Sequence, residues 1–251
     1  PRFGNLVNNT AQRMECETLY WKDKTITLTN RNYDEVFGKE LDDINKYDPV
    51  DHKDAYAREH MLEYAHRTID QTRKVVKELC GKNKITSERY VMNKPKQLLH
   101  DIIGRIDYET NKLFIELKTK PPSIIKKKGR DEYYFKTQPL GDDAVFDAYW
   151  GQVAFYWKCT GKKPFLVLVN DKEYLIYDDT HAALYDDHLE YQYNMMVKRI
   201  YNWEQMIIYC KGDLQKLADI SEPPDLNHYY HYKYLTDKQR KTIKKLWGLD
   251  A

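Results

Sequence analysis

Gly104-Arg105-Ile106-Asp107 and, after a short connection, Leu113-Phe114-Ile115-Glu116-Leu117-Lys118-Thr119 are the stretch on which the reading of this chain turns. Leu98 to Asp107 has the pattern of a strand broken by Gly104, and Leu113 to Thr119 that of a second strand. Glu109-Thr110-Asn111-Lys112 between them has turn composition, so the pattern predicts a β-hairpin. Side chains alternate along a strand, which puts Glu116 and Lys118 on one face and Leu113, Ile115 and Leu117 on the other. Closing the hairpin brings Asp107 beside that acid–lysine pair.

Upstream, Ala57, Met61, Ala65, Ile69, Val76 and Leu79 recur at helical spacing and predict one long helix over 54–80. Downstream, 120–142 reads as a long loop rich in lysine, proline and glycine, and Asp143 to Cys159 as a helix stopped by Gly161. Pro164 to Asn170 and Tyr174 to Tyr177 are apolar strands about an Asp171-Lys172 turn, and Ala182 to Ala218 is helical. Within residues 1–50 the only strand signal is Thr25 to Thr29; the tail after Pro223-Pro224 is aromatic, then basic. The order of elements predicts an α/β fold, a mixed central β-sheet flanked by helices.

With 251 residues, the chain is long enough to bury a core without disulfides or metals. At 41% hydrophobic residues it is too apolar for a disordered chain, and its aliphatic runs are far too short to span a membrane. Pro1 to Asn5 show no apolar h-region, so secretion is not expected. Cys16, Cys80, Cys159 and Cys210 are widely separated, which predicts reduced thiols in a cytoplasmic setting and argues against a cysteine-bound metal. A net charge of +2 announces no nucleic-acid binder by itself, so such a function must come from a local patch. The Lys-, Asn- and Tyr-rich composition is compatible with an AT-rich genome, a viral one included, in which case the host cytoplasm is the compartment.

Asp107, Glu116 and Lys118 on otherwise apolar strands call for a reason to be there. A hard divalent cation supplies one, because carboxylates and a backbone carbonyl suit Mg²⁺ or Mn²⁺. Beside it a lysine orients or deprotonates an attacking water, an arrangement suited to phosphodiester hydrolysis. The plainer reading of Asp-x8-Glu-x-Lys is an ordinary charged hairpin face. Two further features weigh against it. Gln152 and Tyr156 lie four apart on one helix face. Lys118, Lys120, Lys126, Lys127, Lys128 and Arg130 crowd into one tract followed by Tyr133, Tyr134 and Phe135, a combination suited to phosphate contact and base stacking.

Taken together, Gly-x-Ile-Asp, Glu-x-Lys-Thr and Gln-x-x-x-Tyr resemble the RecB-type branch of the PD-(D/E)xK nuclease superfamily, and within it the mitochondrial genome maintenance exonuclease group. His100-Asp101-Ile102-Ile103-Gly104-Arg105-Ile106-Asp107 is similar to that group's His-x-x-Ile-Gly-x-x-Asp pattern. The resemblance covers about 54–180. It implies a restriction-endonuclease-like core in a single nuclease domain over 1–251, with elaborations at 1–50 and 182–251. It also implies that Asp107, Glu116 and the carbonyl of Leu117 hold the metal, that Lys118 positions water, and that Gln152 and Tyr156 support the lysine and touch the nucleic acid. A histidine ligand on the preceding helix is implied too. His60 and His66 are the candidates, and helical phase favours His66, whose neighbours Ala65 and Ile69 lie on the core stripe. Leu62 stands where the family has glycine. Relatives in CRISPR adaptation bind an iron–sulfur cluster through three downstream cysteines; only Cys210 stands in that region, so no cluster is expected.

The expectation is a Mg²⁺- or Mn²⁺-dependent DNA exonuclease acting on single strands or ends, in repair or recombination. A structure-selective endonuclease or double-strand recombination exonuclease of the same fold is the alternative, and a non-catalytic DNA-binding module the alternative of another class.

Overall fold

In the computed structural model the 54–80 helix is α3, His52–Cys80. It is preceded by α1 (Arg2–Glu15), the hairpin β1 (Thr18–Trp21) and β2 (Lys24–Thr27), and α2 (Tyr33–Asn45). The three strands that follow are β3 (Thr86–Asn93), β4 (Ile102–Glu109) and β5 (Leu113–Thr119). Next come a small hairpin, β6 (Ser123–Lys126) and β7 (Tyr133–Lys136), then α4 (Asp147–Thr160), β8 (Lys163–Val169) and β9 (Tyr174–Tyr177). The chain ends in α5 (Asp186–Cys210), α6 (Leu214–Ile220) and α7 (Asp237–Leu246). The structure describes residues 2–21, 24–28, 32–45, 52–129, 132–141, 147–224, 226 and 235–249. The chain divides into two compact units: Pro1–Asn93 with Ile102–Asn194, and Lys94–Asp101 with Met195–Ala251. Among the described residues no helix is long and apolar enough to cross a membrane.

The first unit is built on a mixed sheet of seven strands in the order β2-β1-β3-β4-β5-β8-β9. β3, β4 and β5 run antiparallel in turn; β5 and β8 are parallel, joined over a crossover that contains α4. Adjacent residues of β5 show how the sheet is covered. Ile115 and Leu117 join Val75, Val76 and Cys80 of α3 in one buried cluster. Phe114 instead meets Tyr156 of α4 edge-on at 5.9 Å. Helices therefore cover both faces, α3 on one and α4 on the other, as a sheet with a parallel crossover requires.

Three readings change, the first being that the strand read from Leu98 begins only at Ile102, with 98–101 outside it. The tract 120–142 is not a bare loop, because β6 and β7 pair within it and the lysine run falls at the hairpin's connection. Tyr133 and Phe135 of β7 pack on Tyr56 of α3 at 5.6 and 5.4 Å, which anchors the hairpin. The 182–218 helix is divided: α5 ends at Cys210, Lys211 and Gly212 take positive φ, and Asp213 caps α6 by accepting from Gln215 and Lys216 N–H. In the second unit, Glu204 of α5 accepts from the backbone N–H of Leu99 and His100 at 2.9 and 3.1 Å and pairs with the His100 ring at 2.9 Å. His100 thus serves as a loop anchor ahead of β4.

Gly104 marks how closely α4 approaches β4. A Cβ there would run into Cε1 of Tyr156 and lie 2.7 Å from Cε1 of Phe155. Both rings are buried, so one of them or the backbone must shift. Gly104→Ala is expected to destabilise the first unit by about 1–3 kcal/mol through overpacking. A thermal melt would show it as a drop of several degrees, whereas an unchanged midpoint would mean α4 stands off from β4.

Candidate active site

β4 and β5 part company in the middle of the sheet. Their ladder registers at Tyr108↔Ile115 and Glu109↔Phe114 and then stops. Beyond it β4 stays with β3 as far as Ile102↔Asn93, while β5 stays with β8 along its whole length. Asp107 stands at the mouth of this fork, and its Oδ2 accepts the Leu117 N–H at 2.9 Å, a donor that the ended ladder leaves over. In an extended strand a residue's N–H and C=O point to the same side, so the Leu117 carbonyl is directed toward β4 as well.

The strand also turns over here. Gly104 and Tyr108 are an even interval apart and should share a face. Yet Gly104 opposes α4, whereas Tyr108 lies in the α3 cluster. The alternation is therefore reset between them, at Asp107. Ser87↔Tyr108 and Arg89↔Ile106 place Glu88 opposite Asp107, and Glu88 has φ +59°, a costly conformation for a residue with a side chain.

Around the fork the side chains form a connected set. Gln12 of α1 donates to Glu88 Oε1 at 2.6 Å and to the Asp107 carbonyl at 3.3 Å. Asn8, one helical turn earlier, donates to Asp107 Oδ1 at 3.3 Å and accepts from the Tyr108 hydroxyl at 3.0 Å. From β5, Lys118 Nζ reaches Glu116 Oε1 at 2.5 Å and Gln152 Oε1 at 2.9 Å. Gln152 Nε2 donates to the Tyr156 hydroxyl at 2.8 Å. That hydroxyl donates to the Arg105 carbonyl at 2.8 Å and accepts the Arg105 N–H at 3.1 Å. The phenol thus satisfies backbone groups of β4 in the reach of the fork where no β5 partner is registered. Lys118 and Lys120 lie over the Tyr149 ring at 4.7 and 5.6 Å.

Electrostatics single out Glu116. It is buried, its Oε1 is on Lys118, and its Oε2 has no hydrogen-bond partner among the described residues. Burial first, then the nearby Asp107 charge, push its carboxyl up to about 8 against the pull of Lys118. Burial likewise raises Asp107, opposed by Lys118 and the Leu117 N–H, and raises Glu88, with Asp107 adding to it. Burial works against the Lys118 ammonium, but Glu116 and Asp107 outweigh it, so its pKa is raised and the group is cationic at neutral pH. Lys120 is lowered, by burial and then by Lys118.

The structure thus brings Asp107, Glu116, Leu117, Lys118, Gln152 and Tyr156 together. His66 has other contacts: its Nδ1 is 2.7 Å from the Tyr33 hydroxyl and its ring stacks on Phe37 at 4.1 Å. His60 lies against Tyr56 at 4.4 Å. Lys120 is buried beside Lys118, while Lys126, Lys127 and Lys128 are exposed on the hairpin, with Lys127 paired to Glu132 at 2.7 Å. Tyr133 packs inward on Tyr56, Tyr134 is exposed, and Arg130 lies outside the described residues. Sequence reading missed Asn8, Gln12, Glu88 and Tyr149. Asn8 and Gln12, four apart on α1, needed that helix to be recognised; Thr86 to Asn93 carries a strand-like run, but nothing local in it marks Glu88.

Among the described residues no three His, Cys, Asp or Glu side chains form a ready metal cage. Mg²⁺ does not require one, since it is commonly held by one or two carboxylates, waters and substrate phosphates. The unpartnered, buried Glu116 Oε2 and the adjacent Asp107 carboxylate are a donor set that fits such an ion. No family model matches the chain, and neither a curated protein nor a solved structure matches it.

The raised Glu116 carboxyl has a definite sign in stability. Between the ordinary value of 4.5 and about 8 the folded state holds a proton that the unfolded state has released. Stability contributed by that proton is present below pH 4.5 and lost as pH rises toward 8. In EDTA, denaturant unfolding should show the native protein losing stability against Glu116→Gln across this window, on the order of a few kcal/mol in total. Parallel pH profiles for the two proteins would mean that Glu116 titrates normally.

Proposed function

We propose that the fork between β4 and β5 is a divalent-cation-dependent phosphodiesterase site and that the protein is a DNA exonuclease acting on single strands or ends. The observation that carries this reading is the buried Glu116 carboxylate, which shares one oxygen with Lys118 and has the other unpartnered, beside a second carboxylate. Most buried carboxylate oxygens are satisfied, so one left open beside a second carboxylate is suited to a ligand. The order α3-β3-β4-β5-α4-β8, with acids on β4 and β5 and a Gln–Tyr pair on the crossover helix, supports the RecB-type resemblance and its restriction-endonuclease-like core.

Asp107 and Glu116, with the Leu117 carbonyl, would hold Mg²⁺ or Mn²⁺, and Glu88 adds negative charge close by. When bound, the ion neutralises phosphoryl charge and makes water a competent nucleophile near neutral pH. Lys118, kept cationic by its carboxylate neighbours, orients the water and stabilises charge developing on phosphoryl oxygen. Gln152 fixes the ammonium through its Oε1, and Tyr156 fixes Gln152 to the β4 backbone. His66, whose Tyr33 contact is made through Nδ1, remains the candidate helix ligand through Nε2. Lys126, Lys127, Lys128, Arg130 and Tyr134 of the β6–β7 hairpin region are proposed to contact the strand.

The test is cleavage of end-labelled linear single strands beside a closed circle, in Mg²⁺, Mn²⁺ and EDTA. Linear strands should shorten only with metal while the circle survives, and Asp107→Asn and Lys118→Ala should each cost at least about 100-fold in kcat. Cutting of the circle would assign the structure-selective endonuclease instead. Activity surviving Asp107→Asn would remove the fork from the chemistry. Neutralising Lys126, Lys127 and Lys128 together should lower the salt slope of DNA binding by roughly 0.7 per lost phosphate contact. An unchanged slope would return the hairpin to a solvated role.

A further inference from the structure

Beyond Glu88 and Asp107, β3 and β4 continue as a two-stranded ribbon whose two faces differ in kind. The register pairs Tyr90 with Arg105, Val91 with Gly104 and Met92 with Ile103. Cross-strand partners and residues two apart share a face, so Tyr90, Met92, Ile103 and Arg105 form one surface. Tyr90 is 47% exposed, Met92 and Ile103 each 63%, and the Arg105 side chain 52%. On the other face Val91 is buried and Gly104 is pressed against Phe155 and Tyr156. Apolar residues scattered singly over a surface need no explanation. Three large ones contiguous with an arginine, on strands held from behind by α4, form a patch.

We propose that this ribbon face is a subsite for unpaired nucleotides that leads a single strand into the fork: Tyr90 stacks on a base and Arg105 takes the adjoining phosphate. The proposal rests on the hydrolytic reading of the fork and adds to it the class of substrate. Arg105 is built for the task. Its backbone N–H and C=O are both held by the Tyr156 hydroxyl, and its Nε pairs with Glu88 at 2.5 Å. Glu88, the residue at φ +59°, is itself fixed by Gln12. Strained backbone is thus maintained at the point where the guanidinium is anchored. Charge chooses the occupant. A guanidinium beside an exposed tyrosine complements a phosphate backbone with a free base. Tyr90 finds an open π-face only on an unpaired base, so the occupant is a single strand and not a duplex.

The test uses fluorescence anisotropy of a labelled oligothymidine in EDTA, so that the strand stays intact, with cleavage in Mn²⁺ measured alongside. Tyr90→Ala should weaken binding roughly 5- to 150-fold, the range of one lost stacking contact. Tyr90→Phe should bind like the native protein, which separates loss of the ring from loss of the fold. Arg105→Gln should lower the slope of log affinity against log salt by about 0.7, and Arg105→Lys should keep it. If the native protein binds and cleaves while Tyr90→Ala and Arg105→Gln bind equally well, the subsite is refuted and the hydrolytic reading stands. If both substitutions weaken blunt duplex as much as single strands, the single-strand assignment is refuted. If the native protein neither binds nor cleaves, both readings fall.

Discussion

The Glu116 carboxyl group sits in the interior with one oxygen on the Lys118 ammonium and the other without a partner among the described residues. Removing a carboxylate from water is costly, and a single ion pair repays that cost only when the remaining lone pairs are satisfied. Everything around Glu116 limits the deficit. Lys118 is held over Tyr149 and by Gln152, Gln152 by Tyr156, and Tyr156 by the backbone of β4. The arrangement is stiff because each donor is fixed by the next. A stiff site with one unmet oxygen is suited to a hard cation.

The fork makes that arrangement available. Had the β4–β5 ladder continued, the Leu117 N–H and the Arg105 backbone would have been engaged within the sheet. Once it stops, Asp107 takes the one and Tyr156 the other. The reset of alternation at Asp107 and the positive φ of Glu88 are the local cost of bringing polar side chains from both faces to one opening. α1 contributes to this side through Asn8 and Gln12, so the N-terminal helix is part of the site's support.

Much of this was legible from residue order. The period-2 alternation of Leu113 to Thr119 and the helical stripe of 54–80 are strong because one face of each is buried. The pairing of Gln152 with Tyr156 follows from their i, i+4 spacing. What escaped has common causes. β3 was not anticipated, since its Glu88-Arg89 centre breaks the apolar pattern for the sake of contacts with Gln12, Arg105 and Glu109. α1 begins Arg-Phe-Gly-Asn-Leu-Val-Asn-Asn, a poor helix by propensity that tertiary packing of Phe3, Leu6 and Val7 overrides. The β6–β7 pairing was hidden in a lysine-rich tract whose ordering depends on contacts with α3, distant in sequence. Helical phase puts His66 on a part-buried face, and phase does not name its partners, which include Tyr33 at Nδ1 and the Phe37 ring.

The unmet oxygen of Glu116 is proposed to await a divalent cation. The most direct measurement is thermal unfolding of the full chain titrated with Mn²⁺, without nucleic acid, for the native protein, Glu116→Gln and Asp107→Asn. A ligand that binds only the folded state raises the midpoint with concentration. The account predicts a saturable rise in the native protein that both substitutions abolish. A native midpoint indifferent to Mn²⁺, or a rise that persists unchanged in Glu116→Gln, would contradict it.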